Sequence, residues 1–142
     1  MITVHIVDDH KILVEGLKKL IDSSGFATTV DLSYTGAECL WKLGFNQPQV
    51  LLLDINLPDC SGIELCKTIK NRFPGVKIVA LTSYSEYTIV RQMLENGASG
   101  YVIKNAMPEE ILLGIQTVAD DKTFLCEEID CLMSKRSLEQ IW

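Results

Sequence analysis

Runs of residues typical of β-strands alternate with helical patterns along the first 119 residues of this 142-residue chain. Short runs of β-branched and other apolar residues predict five strands, at residues 2–7, 27–32, 50–53, 76–81 and 100–103. Apolar residues recur every three or four positions between these runs, which predicts helices at 10–21, 35–43 and 61–72, a fourth after residues 83–86 and a fifth beginning near Pro108. Strict alternation of this kind is typical of an α/β fold, an open parallel sheet with helices on both faces.

The second helical pattern predicts which of its side chains face the core. Ala37, Leu40 and Trp41 lie at helical spacing and are expected to point inward. The run Val50-Leu51-Leu52-Leu53 is continuously apolar, which is typical of a strand covered on both faces.

A further amphipathic segment follows the fifth helix. Leu125, Ile129, Leu132 and Met133 lie at helical spacing within it. The length fits about one domain. We therefore expect a domain over residues 1–119 and a C-terminal helical segment over residues 120–142.

Charge and hydropathy exclude several functions for this chain alone. It carries 13 basic and 19 acidic side chains, a net charge of −6, whereas duplex binding needs clustered Lys and Arg. The longest apolar run is far shorter than the ~20 residues of a membrane span, and the N-terminus lacks the basic region of a signal peptide. Five cysteines without a C-x-x-C pair predict reduced thiols. The expected compartment is the cytoplasm.

Polar side chains follow the predicted strands at the points where those strands end. Asp8 and Asp9 follow the first strand, Asp54 the third, Thr82 the fourth and Lys104 the fifth. Each has an ordinary alternative as a helix cap, a turn former or a solvated strand end. Together they predict a site, because parallel strands end at one edge of a sheet, where ligands bind. Three carboxylates there would repel one another, and raised pKa values, the Lys104 ammonium or a bound cation such as Mg²⁺ would offset this repulsion.

Four separated motifs follow one another along the chain: Val7-Asp8-Asp9-His10, Leu53-Asp54-Ile55-Asn56-Leu57-Pro58, Leu81-Thr82-Ser83 and Gly100-Tyr101-Val102-Ile103-Lys104. Together they resemble the receiver domain of bacterial two-component response regulators. The resemblance implies a flavodoxin-like sheet of five strands in the order 2-1-3-4-5. Residues 13–17 and 122–129 further resemble the branch whose receivers precede a LuxR-type helix-turn-helix domain.

The resemblance also implies a role for each matching residue. Asp54 would be the phosphoacceptor, and Mg²⁺ would be held by Asp8, Asp9, Asp54 and the backbone carbonyl of Asn56. Lys104 would pair with the phosphoryl oxygens and Thr82 would hydrogen-bond the phosphoryl group, while Tyr101 would turn inward as Thr82 moves. Asn56 and Tyr84 would tune the lifetime of the phosphoryl group by lining the path of attacking water. Asn105 departs from the many receivers that carry proline after the lysine.

The implied function is a phosphorylation-driven switch in transcription regulation. Its partners would be a sensor histidine kinase as phosphoryl donor and a second copy of the chain after phosphorylation. DNA would be bound only by a helix-turn-helix domain beyond Trp142, and no membrane would be involved.

Two alternatives stay open. A Mg²⁺-dependent phosphohydrolase of the haloacid-dehalogenase type would also use Asp54 as nucleophile. Those enzymes carry a second Asp two residues later, where this chain has Asn56, and His10 is predicted on the first helix rather than beside Asp54. The other alternative is a receiver that serves only as an interaction module.

Overall fold

Six parallel strands form one sheet in the computed structural model of the chain, in the order β2-β1-β3-β4-β5-β6. The structure describes the backbone of residues 1–141 and the side chains of residues 1–136. Trp142, which ends the predicted C-terminal segment, lies outside the described residues. The elements are β1 (Ile2–Val7), α1 (Lys11–Asp22), β2 (Ala27–Ser33), α2 (Gly36–Leu43), β3 (Val50–Leu53), α3 (Gly62–Arg72), β4 (Lys77–Thr82), α4 (Tyr87–Glu95), β5 (Gly100–Ile103), α5 (Pro108–Ala119), β6 (Phe124–Leu125) and α6 (Glu127–Ile141).

The predicted α/β class is confirmed, and the first five strands have the expected order. Every residue of β3 is buried, as its continuous apolar run predicts. Parallel pairing places Val7 opposite Leu53, Leu53 opposite Ala80 and Thr82 opposite Ile103. The carboxyl ends of β1, β3, β4 and β5 therefore meet at one edge of the sheet.

The predicted count of five strands is wrong by one. The backbone N–H of Phe124 donates to Ser99 O, and that of Cys126 donates to Tyr101 O, which adds the two-residue strand β6 beside β5. Leu125 lies in this strand rather than on the helix, although its spacing from Ile129 fits one helical turn. A two-residue strand is too short to show a period of its own.

The predicted inward orientation is wrong for Trp41 and also for Ala37, which is exposed. The side chain of Trp41 is 66% exposed, and its ring meets that of Phe45 edge-on at 5.0 Å between centroids. Cys39 and Leu43, one helical turn apart, are the fully buried residues at the core-facing side of α2. Trp41 lies two positions from each, which turns it toward solvent.

All five cysteines are free thiols. Burial raises the pKa of Cys39 and of Cys66 to about 12, so both behave as small apolar core residues. Among residues 1–141, no helix combines the length and apolar character needed to cross a bilayer.

Buried His5 should make the fold sensitive to acid. Its Nε2 is 2.7 Å from Ser33 Oγ, its Nδ1 has no partner among the described residues, and burial lowers its pKa from 6.5 to about 4. Between these two pH values the unfolded chain binds a proton that the folded chain refuses, so stability falls as the pH falls. The full effect is about 3 kcal/mol at about 1.4 kcal/mol per pKa unit.

Urea unfolding between about pH 7 and pH 4 measures this effect. The variant His5→Gln, which cannot titrate, should lose less stability than the unsubstituted protein over that range. Identical pH dependence in the two proteins would contradict the role of His5.

Candidate functional site

The sheet ladders place the predicted site residues directly beside one another. The N–H of Asp8 donates to Ser33 O, that of Asp54 to Val7 O and that of Lys104 to Thr82 O, each at 2.9–3.0 Å. Each of these residues therefore follows its strand in register. Asp8, Asp54 and Thr82 are buried, whereas Asp9 is exposed at the rim.

One ammonium group links the two buried carboxylates. Lys104 Nζ lies 2.9 Å from Asp8 Oδ2 and 3.1 Å from Asp54 Oδ2. Burial by itself would lower the pKa of Lys104, but the hydrogen bonds to Asp8 and Asp54 outweigh it and raise that pKa above its ordinary value. Lys104 is therefore a fixed positive charge between two negative ones.

His10 also belongs to this site, contrary to the sequence prediction. It is the residue before α1 rather than part of the helix, and its Nδ1 lies 2.7 Å from Asp8 Oδ1 and 3.0 Å from Lys104 Nζ. The same atom is 3.9 Å from Asp54 Oδ2. The sequence feature that points to a site role for His10 is its position directly after Asp8 and Asp9. Helical periodicity instead predicted His10 as part of the first helix.

The donor atoms at this edge fit a divalent cation. One donor atom each from Asp8, Asp9, His10 and Asp54 lie within 4.8 Å of one another. Carboxylate oxygens suit Mg²⁺, which binds proteins through one or two carboxylates and keeps its other positions for water and phosphate. The fourth predicted ligand, Asn56, is exposed, and its N–H lies 3.4 Å from Asp54 Oδ1. A ligand role for its carbonyl stays a prediction.

Gly62 lets the chain turn tightly beneath Asp54. Its N–H donates to Ile55 O at 2.6 Å, and Asn56 pairs with Ser61 in an isolated antiparallel bridge. A Cβ atom at Gly62 would collide with the carbonyl oxygen of Asp54 and the Cα of Ile55. The close approach thus requires glycine here. The sequence pattern predicts Gly62 only as part of the helix at residues 61–72 and gives no sign of this close approach.

Thr82 and Tyr101 are joined through the backbone of Tyr84. The Tyr84 N–H lies 3.5 Å from Thr82 Oγ1, and the Tyr101 hydroxyl donates to Tyr84 O at 2.6 Å. Tyr101 is fully buried, and burial raises its pKa. Its side chain points inward here, and the coupling of that position to a movement of Thr82 stays a prediction.

The two residues predicted to tune the phosphoryl lifetime share one cavity. Asn56 and Tyr84 line a cavity of about 400 Å³ together with Ile55, Cys60, Ser61 and Ile89. The Lys104–Asn105 peptide bond is trans, as are the other peptide bonds of the described residues.

Comparison with known proteins agrees with this geometry. The family model for the response regulator receiver domain matches residues 4–116. The transcriptional regulatory protein MctR of Rhizobium johnstonii is 32% identical over 139 residues, which are 95% of this chain and 64% of the relative. The chain spans about six tenths of the length of the curated relatives it matches.

Solved structures share the fold over nearly the whole chain. A two-component response regulator of the LuxR family from Aurantimonas sp. SI85-9A1 has a TM-score of 0.93 at 24% identity, covering 97% of this chain and 99% of the other. The RcsB response regulator of Salmonella typhimurium has a TM-score of 0.89 at 26% identity, covering 95% and 70%.

Removing the Lys104 charge should destabilise the fold. Lys104→Met leaves Asp8 and Asp54 buried without their shared cation, and breaking a buried ion pair from one side costs about 3–5 kcal/mol. Added Mg²⁺ should restore part of the loss, since a bound cation stabilises the folded state by mass action. Urea unfolding with and without Mg²⁺ measures both effects.

Lys122→Met is the matched control, because Lys122 and its partner Asp120 are both more than 70% exposed. Its effect should stay within about 0.5 kcal/mol. Equal losses in the two variants would contradict the central role of Lys104.

Proposed function

The chain belongs to the response regulator receiver domain family, and from this premise we propose that Asp54 accepts a phosphoryl group from the phospho-histidine of a sensor kinase. One observation carries the proposal. Asp54 is a buried carboxylate held 3.1 Å from a lysine ammonium, next to further carboxylates that can bind a cation. Phosphoryl transfer depends mainly on such positioning and charge neutralisation.

In the proposed reaction, an oxygen of Asp54 forms a bond to phosphorus while the P–N bond of the donor histidine breaks. The donor imidazole keeps the electron pair of that bond and leaves. Mg²⁺ held by Asp8, Asp9, Asp54 and the Asn56 carbonyl would mask the repulsion between Asp54 and the phosphoryl oxygens. Lys104 Nζ, which is hydrogen-bonded to Asp54 in the unphosphorylated site, would donate to a phosphoryl oxygen.

Phosphorylation would reach the C-terminal segment through a short series of contacts. A phosphoryl group on Asp54 offers a new acceptor to the Thr82 hydroxyl, whose present contact with Tyr84 N–H is long. Movement of Thr82 would shift Tyr84, which holds the Tyr101 hydroxyl. The Tyr101 carbonyl in turn accepts a hydrogen bond from the N–H of Cys126, which is the residue directly before α6.

We assign residues 1–119 to the receiver and residues 120–142 to a linker segment. In the intact cytoplasmic protein this segment would lead to a LuxR-type DNA-binding domain that regulates transcription, with a homodimer formed on phosphorylation. MctR, a transcriptional regulatory protein similar over 95% of this chain, supports this assignment. Asn56 and Tyr84 would set the phosphoryl lifetime from the cavity they share.

The position of His10 keeps a phosphohydrolase as the second candidate function. His10 Nδ1 is 3.9 Å from Asp54 Oδ2, so an imidazole that could serve as acid or base does lie beside the nucleophile. His10 Nδ1 lies against Asp8 and Lys104 rather than facing Asp54 alone, however, and Asn56 cannot supply the proton of a second aspartate. We therefore favour the switch, in which the chain is phosphorylated once rather than turning over substrate.

Phosphorylation of Asp54 is tested by intact mass. After incubation with acetyl phosphate or phosphoramidate and Mg²⁺, the protein should gain one phosphoryl adduct, because Asp54 is the buried carboxylate beside Lys104. Asp54→Asn should lose the adduct, whereas Asp130→Asn, which alters an exposed carboxylate on α6, should keep it. An adduct that persists in Asp54→Asn would refute the assignment, and release of many phosphates per chain would favour the phosphohydrolase.

Thr82→Ala should separate phosphorylation from switching. The variant keeps Asp54 and Lys104 and should gain the adduct, but it lacks the hydroxyl that connects the phosphoryl group to Tyr84. Amide hydrogen exchange around Tyr101 and Cys126, together with sedimentation, should change on phosphorylation in the unsubstituted protein only. Thr88→Ala, an exposed threonine on α4, serves as the control. A phosphorylated Thr82→Ala protein that responds like the unsubstituted one would contradict the proposed coupling.

This chain by itself should not bind DNA, even when it is phosphorylated. Residues 120–142 contain six acidic and three basic side chains, a net charge of −3, which is the wrong sign for contact with phosphates. Gel shifts across a series of salt concentrations measure this. Micromolar binding that weakens with salt would show that the segment itself contacts DNA.

A further inference from the structure

We propose that His10 is a direct nitrogen ligand of the cation at this site, and that it gives the site a preference for Mn²⁺-like cations over Mg²⁺. The proposal rests on the proposed cation role of Asp8, Asp9 and Asp54. It adds a ligand of a different chemical type to a set that otherwise consists of oxygen atoms.

The distances around His10 Nδ1 match those between ligands of one cation. Donors about 2.1 Å from an octahedral ion lie about 3 Å apart when adjacent and about 4.2 Å apart when opposite. His10 Nδ1 is 2.7 Å from Asp8 Oδ1, 3.5 Å from Asp9 Oδ1 and 3.9 Å from Asp54 Oδ2. All three separations fall in or near this range, so the imidazole needs only a small adjustment to share an ion with the carboxylates.

His10 Nδ1 lies between a hydrogen-bond donor and an acceptor and can serve only one of them. Nδ1 can either donate a proton or accept one, but it lies 3.0 Å from the Lys104 ammonium, a donor, and 2.7 Å from Asp8 Oδ1, an acceptor. If Nδ1 accepts a hydrogen bond from Lys104, it carries no hydrogen of its own. Two electron-rich atoms, Nδ1 and Asp8 Oδ1, then lie only 2.7 Å apart. A cation between these two atoms would bind both lone pairs. Asp8 would keep its other oxygen, Oδ2, on Lys104.

The backbone holds the imidazole ready for this role. The His10 N–H donates to Asp8 Oδ1 at 2.9 Å, and His10 ends the loop directly before α1. Its side chain is 59% exposed, so solvent cations reach Nδ1 without an opening of the fold. The other histidine of the chain, His5, is fully buried against Ser33 and cannot reach the site.

Ligand chemistry determines which cations gain from His10. Imidazole nitrogen favours transition metals, whereas oxygen ligands suit Mg²⁺ and Mn²⁺ alike. Among the transition metals, Mn²⁺ is the one that shares the oxygen-ligand preference of Mg²⁺, and it also accepts an imidazole nitrogen. The expected consequence is a higher ratio of Mn²⁺ to Mg²⁺ affinity than the carboxylates alone would give.

The test measures Mn²⁺ binding to the full chain by electron paramagnetic resonance, with Mg²⁺ as competitor. His10→Ala should weaken Mn²⁺ binding about tenfold, at the lower end of the loss caused by removing groups that support a metal. Mg²⁺ affinity should stay nearly unchanged. Bound Mn²⁺ should show electron spin echo modulation from a histidine nitrogen, which is lost in His10→Ala and kept in His5→Gln.

Three results would overturn the proposal or a part of it. Mn²⁺ bound without nitrogen modulation, or an unchanged ratio of affinities in His10→Ala, would refute the ligand role of His10 and leave the phosphoacceptor assignment intact. If Mn²⁺ does not bind at all and Asp54 also gains no phosphoryl adduct, the proposed function is refuted as well.

Discussion

The ion pairing of Lys104 with Asp8 and Asp54 is the interaction on which the rest of the site depends. Two like charges about 4 Å apart repel by about 4 kcal/mol at an effective dielectric constant near 20. Here the two buried carboxylates share one ammonium within 3.1 Å, and Asp9 and His10 stand at the open side. The fold tolerates this cluster because Lys104 and the sheet ladder fix it in place. One lysine leaves these three carboxylates with a net charge of −2, which a single divalent cation would balance.

The same strand ends connect the site to the C-terminal segment. Lys104 and Thr82 are joined by a backbone hydrogen bond, Tyr84 lies between Thr82 and Tyr101, and β6 extends the sheet beside Tyr101. Ile129, the first apolar anchor of α6, is fully buried. A change of charge at Asp54 therefore has a continuous route of direct contacts to the beginning of α6. The family resemblance implied the part of this route from Thr82 to Tyr101, whereas the step from Tyr101 to Cys126 depends on the added strand β6.

The sequence predicted those features that follow from periodicity and from strand ends. Asp8, Asp54 and Lys104 could be brought together because parallel strands end at a common edge. His10 and Trp41 were misplaced because helical spacing does not determine where a helix begins or which of two neighbouring residues faces the core. The strand β6 has two residues and shows no pattern. The inward position of Tyr101 depends on a hydrogen bond to a backbone carbonyl, which no side-chain pattern encodes.

The most direct measurement of the central claim is the thermal unfolding midpoint during titration with Mg²⁺ and then with beryllium fluoride, which mimics a phosphoryl group. If a divalent cation balances the cluster and thereby lets an anionic phosphoryl mimic bind at Asp54, each addition should raise the midpoint, because a ligand of the folded state stabilises it by mass action. Asp54→Asn should lose the rise caused by beryllium fluoride. An unchanged midpoint in the unsubstituted protein, or an equal rise in Asp54→Asn, would contradict the account.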